Sequence, residues 1–258
     1  MSELEVQPVG EPVPAVPGLS QWQRVSNVFA APSKTFEDIK RGNKSWWLPF
    51  VITVLSFAVF FGAVSTKVTW TQVYENEQRN LPEFAKRMQE QAPPDRQAAQ
   101  QKMGPMIQAV TAGLAPIGVV IIDLIAAGVL LATINFGFGG KAKFGSLFAV
   151  TLYAGLVLWP LRWLLAAIAI FFSDPEAFSI HNPAPTNVGA FLPELKSGSL
   201  VLYSFLTALD ALSLWCMVVT AIGVATVAGV KRGSGYIAVF GWWFIGLLLG
   251  VGLAKAFS

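Results

Sequence analysis

Three ionisable side chains stand alone inside otherwise apolar stretches of this 258-residue chain: Asp123, Arg162 and Asp210. Counted from Gly113, Phe172 and Leu200, each lies about ten residues inward, about 15 Å by helical rise. That depth is near the middle of a hydrocarbon core about 30 Å thick. A charge alone there costs several kcal/mol and normally finds a partner or water. A guanidinium between two carboxylates can serve both, because its five donors form bidentate bonds. The spacing therefore predicts an Asp123–Arg162–Asp210 cluster joining three helices. Two roles stay open for it. One is a polar clasp that fixes helix register; the other is a path for protons or cations, since one negative charge is left over after pairing.

The elements that must position these groups are five apolar stretches bounded by charges. They predict crossings at about 46–66, 113–134, 147–172, 200–230 and 236–254. Hydrophobic residues make up 54% and charged residues 13%, about half the charged share of a soluble domain. The stretches are apolar all round, whereas helices of a soluble core keep a polar face. The fold class expected is all-α: a polytopic membrane protein with five transmembrane helices and an amino-terminal interfacial amphipathic segment. The 200–230 stretch exceeds one crossing, so it either tilts or starts outside lipid, which leaves the depth of Asp210 open. Trp159-Pro160, beside Arg162, is a kink signal in the third crossing; no unwound-helix signature accompanies the carboxylates.

The remaining sequence divides accordingly. Residues 1–20, with Pro8, Pro12, Pro14, Pro17 and three glutamates, read as a disordered tail, and 21–258 as the membrane domain. From Gln21 to Lys44, Trp22, Val25, Val28, Phe29, Phe36 and Ile39 recur at helical spacing opposite basic residues. That pattern suits a helix in the membrane interface, or a cap packed on the protein's own bundle. Trp46 and Trp47, with Trp22, are the interface anchors. The polar loop 67–110 is divided by Pro82, Pro93-Pro94 and Gly104-Pro105 into two or three short helices. Small residues recur every four positions at Ala221, Ala225 and Gly229, and at Gly246, Gly250 and Ala254. This spacing lets backbones approach closely, and packing between these two neighbouring crossings is expected in preference to a dimer contact.

Basic residues in the short loops set orientation. Lys141, Lys143, Lys231 and Arg232 crowd two short turns, while the long 67–110 loop matches its bases with acids. The amino terminus is therefore expected in the cytoplasm and the carboxyl terminus outside, across the cell membrane. A net charge of +3 with bases beside membrane segments gives no reason to expect nucleic acid. His181 and Cys216 lie on different segments, so no nucleophilic constellation is expected; nor is any metal or cofactor. The partners expected are membrane lipids and other membrane proteins or a second copy.

The order of features resembles the Yip-domain family (Ypt-interacting proteins), particularly its bacterial members. The residues that carry this are the segment from Val28 to Ile39 leading into Trp46-Trp47-Leu-Pro49, and Asn135-Phe-Gly-Phe-Gly-Gly140 leading into Phe148-Ala-Val-Thr-Leu-Tyr-Ala154. Leu209-Asp-Ala-Leu-Ser-Leu-Trp215 completes them. The resemblance covers roughly Trp22 to Phe257. It implies five crossings with a cytoplasmic amino terminus, and from the residues no catalytic activity is expected. Family members in eukaryotes bind prenylated small GTPases and shape or traffic membranes. The acidic tail here has no segment matching a GTPase-binding surface, which argues against that partner. Membrane organisation or assistance to a partner complex is the function expected, with a small transporter or channel subunit as the alternative.

Overall fold

A computed structural model describes residues 17–79, 81, 83–192 and 199–256, with the side chains of 83, 84, 200, 254 and 256 outside that description. All regular structure among the described residues is helical apart from one isolated backbone bridge. Among the described residues, five helical spans are long and apolar enough to cross a membrane: Trp47–Lys67, Ala115–Gly137, Phe144–Phe172, Ala211–Ala228 and Arg232–Leu253. The chain is a polytopic membrane protein. Its near face carries the amino-terminal helices and its far face the long polar loop.

The chain enters through two short helices, α1 (Gln21–Ala30) and α2 (Pro32–Lys40). Ser20 caps α1 in a reciprocal capping box with Gln23, and Pro32 starts α2, where a missing N–H is harmless. Leu19 N–H donates to Asp38 Oδ1 at 3.1 Å, so the ordered hairpin begins before the expected boundary at residue 20; the rest of the expected tail, residues 1–16, lies outside the described residues. The hairpin packs on the bundle: Val28, Phe36 and Ile39 are fully buried in the main core. Trp22 on its outer side stays exposed. A buried Arg24–Asp38 pair at 3.7 Å ties the two helices, and Arg24 also donates to Asn43 O at 2.7 Å.

The first crossing is α3 (Trp47–Lys67), with Trp46 and Trp47 exposed at its start. The far-face loop forms α4 (Trp70–Arg79), α5 (Glu83–Glu90) and α6 (Pro94–Gly113). Helix α6 runs through Gly104-Pro105 rather than breaking there. Gly104 is needed, because a Cβ there would stand 2.3 Å from the Tyr74 ring of α4. Leu114 links α6 to α7 (Ala115–Ala132), which ends in a wide turn at Thr133–Gly137.

The third crossing divides. Helix α8 (Phe144–Gly155) stops, and α9 (Trp159–Phe172) restarts with Pro160 in its first turn. Every residue from Ser146 to Val157 is buried, which explains the unbroken apolar run of α8: other helices surround it. The fourth stretch also divides, into α10 (Leu200–Ala208) and α11 (Ala211–Ala228). Asp210 lies between them. Of the two alternatives for 200–230, one tilted helix gives way to two helices meeting at a break, of which Ala211–Ala228 is long and apolar enough to cross. The last crossing is α12 (Arg232–Ala256), packed on α11 and α10.

Candidate functional site

The break between α10 and α11 builds the site. An aspartate is among the best helix caps, since its carboxylate accepts from amides that a helix start leaves without partners. Asp210 Oδ1 accepts from Ser213 N–H at 2.7 Å. The same oxygen lies 2.8 Å from Arg162 Nη2, and Arg162 also donates to Ser213 Oγ at 3.1 Å. Asp210 Oδ2 accepts from the Thr186 hydroxyl. The loop between α9 and α10 completes the junction, with Ala211 N–H donating to Thr186 O at 3.0 Å and Asn187 bridging to Asp210. A loop thus supplies hydrogen bonds that the interrupted helix lost, just before the apolar span Ala211–Ala228 begins.

Above this junction a cavity of about 450 Å³ opens, lined by Arg162, His181, Asn182, Asn187, Tyr203 and Thr207 among others. Its polar wall is held by local bonds: Asn187 donates to Asn182 Oδ1 at 2.8 Å and accepts from Ala190 N–H at 2.9 Å. His181 Nε2 lies 3.4 Å from Glu77 Oε2, and Ser179 Oγ donates to Glu77 Oε1 at 2.9 Å. Both side chains address the Glu77 carboxylate rather than each other.

Asp123 does not join the cluster. It is buried against α8, where Thr151 Oγ1 lies 3.4 Å from its backbone carbonyl, and its Oδ2 makes no hydrogen bond. Equal depth on three helices does not guarantee equal direction. Arg162, which follows the interruption at 156–158, pairs with Asp210 at the α10–α11 break. The expectation that no helix unwinds near the carboxylates is likewise corrected, since Asp210 stands at such a point.

The small-residue pattern separates too. Ala221 and Ala225 are buried, and a Cβ on Gly235 of α12 would stand 2.3 Å from Ala221 O, so this is where α11 and α12 touch. Gly229 has φ 70° and closes α11 as a left-handed cap rather than serving as a packing position. Gly246 and Gly250 have open space where their Cβ atoms would be. They do not face α11, and the Ala254 side chain lies outside the described residues.

Sequence reasoning missed the Arg24–Asp38 pair. Its signal was present, as an arginine on the apolar side of α1 fourteen positions before an aspartate on the apolar side of α2. Asn43 donates to Asp38 Oδ2 at 2.9 Å and so serves the same junction.

Five spans and a near-face helical hairpin clasped to them define an integral, multi-pass membrane protein. The family model described as "Yip1 domain" matches residues 26–253, and the chain belongs to that family. No curated protein and no solved structure matches the chain.

Proposed function

We propose that this protein is a non-enzymatic organiser of the membrane that works by lateral contact between its last crossing and a membrane-embedded partner. The observation that carries the reading is the uneven burial of the spans. In the most apolar 18 residues of the fifth, 11% are buried within the protein, against 28% to 44% in the other four. Helix association in lipid depends on close backbone approach at small residues. Gly246 and Gly250 offer that approach on a surface the protein's own helices leave open. The crowded bases of the 139–143 and 229–232 turns support a cytoplasmic near face in the cell membrane, with the carboxyl terminus outside.

The test is the mass of the particle extracted with its native lipids. The chain alone is 27.8 kDa. The reading expects a larger stoichiometric assembly that falls to the single chain when Gly246 and Gly250 are both replaced by leucine. A single chain in native lipid would end it.

A second reading has one observation in its favour. Asp210 caps a discontinuous helix beside a polar cavity, the arrangement in which many transporters hold their cargo near the bilayer midplane. Proton or cation flux into liposomes, abolished by Asp210→Asn, would move the assignment to transport. The Arg162 pairing supports a clasp instead, because it neutralises the carboxylate that a cation would need.

A further inference from the structure

On the near face, two linkers about a hundred residues apart in sequence meet over the end of α11. The end of α2 and the linker to α3 bring Lys40, Arg41 and Lys44, and the α7–α8 linker brings Lys141 and Lys143. They surround a cavity of about 610 Å³ floored by the last turn of α11, and no carboxylate lines it. Asp38 is the nearest acid in sequence, and it is engaged with Arg24 and, at 3.3 Å, with Arg41. Among the described residues the four lysines have no ion-pair partner.

The fold forces these cations together. Lys141 N–H donates to Ala228 O at 3.0 Å, and Gly140 N–H donates to Ile134 O at 2.9 Å. The Asn135 side chain clamps Ala142 through both its N–H and its carbonyl, at 2.9 and 3.0 Å. Lys40 Nζ lies 3.7 Å from where a Cβ on Gly229 would be, and the Lys44 stem lies 3.8 Å from that point on Gly145, in the first turn of α8. Lys44 therefore overlies the amide end of α8, which favours anions. Ser146 also reaches the cavity, and its hydroxyl makes no hydrogen bond among the described residues. Like charges gathered around one cavity repel unless an anion joins them.

Depth selects the anion. Lys44 stands two residues before Trp46-Trp47, whose exposed rings mark the headgroup zone. We infer that this cavity is a binding site for a phosphomonoester, presented by an anionic lipid headgroup at the membrane surface. Basic pockets between membrane helices take such headgroups, each cation near the surface favouring the anion about fivefold. The inference stands independently of the partner surface on α12.

The test uses the full chain in phosphatidylcholine nanodiscs. Binding is read for lipids at equal net charge, with either a phosphomonoester headgroup (phosphatidic acid) or a phosphodiester one (phosphatidylglycerol), and separately for inorganic phosphate in solution. The site predicts preference for phosphatidic acid, reduced on the order of tenfold or more by Lys141→Gln with Lys143→Gln. It predicts no change from Lys34→Gln with Lys231→Gln, which removes two exposed cations of the same face outside the cavity. Competition by millimolar phosphate would assign the site to the phosphate group itself, and its absence to the lipid-anchored headgroup. Equal binding of both lipids, or equal loss in the two double variants, would reduce the feature to diffuse surface charge and overturn the inference.

Discussion

Arg162 Nη2 and Asp210 Oδ1 lie 2.8 Å apart, and the same carboxylate oxygen caps α11 through Ser213 N–H. One aspartate thus both ends a helix break and neutralises an intramembrane arginine. Breaking a buried ion pair from one side costs about 3–5 kcal/mol. The Arg162 side chain is 25% exposed, so a smaller loss, about 2 kcal/mol, is expected for Arg162→Gln in unfolding from mixed micelles. In a cycle with Asp210→Asn the two changes should couple by 1 kcal/mol or more in rough terms. Simple additivity would show that the pair contributes nothing.

Capping and pairing can be separated at residue 210. Asparagine caps nearly as well as aspartate but carries no charge, whereas alanine does neither. Asp210→Ala should therefore cost about 1 kcal/mol more than Asp210→Asn. For the same reason, exchanging the charges as Arg162→Asp with Asp210→Arg should not restore stability, since arginine cannot accept from Ser213 N–H. Recovery in the exchanged protein would refute the capping role.

Asp123 behaves differently. Its Oδ2 is buried and without a hydrogen bond, and an unsatisfied buried polar group costs about 1–3 kcal/mol. Asp123→Asn or Asp123→Leu should leave the melting temperature unchanged or raise it, while Arg162→Gln lowers it. A large drop on removing Asp123 would mean that it holds a partner in the membrane.

The amino-terminal hairpin depends on a close approach at Gly223. A Cβ there would stand 2.5 Å from Val150 Cγ1 and 3.0 Å from the Phe36 ring. Gly223→Val should therefore loosen α1–α2 from the bundle and expose the Ala30–Pro32 joint to protease. Unchanged protection would place the hairpin's attachment elsewhere.

The five spans were legible because lipid leaves a coarse signature: long apolar runs closed by lysines and tryptophans. The break in the third crossing was marked by Trp159-Pro160, where proline removes a donor. The fourth break had no proline or glycine to announce it. Its signals were excess length and an aspartate three residues before Ser213, a capping residue set among leucines. The failure of Asp123 to meet Arg162 was not legible at all. Depth follows from counting residues, but the direction in which a side chain leaves its helix does not, least of all in a crossing interrupted at 156–158. The basic cavity escaped notice because its two halves lie far apart in sequence and each alone reads as an ordinary loop charge bias.

The association claim is tested most directly by disulfide crosslinking in native membranes, in a Cys216→Ser background, with single cysteines along α12. The account predicts crosslinks to a partner or second copy from Gly246→Cys and Gly250→Cys, and none from Phe244→Cys or Leu248→Cys on the opposite face. Crosslinks absent from all four positions, or equally frequent at all of them, would contradict it.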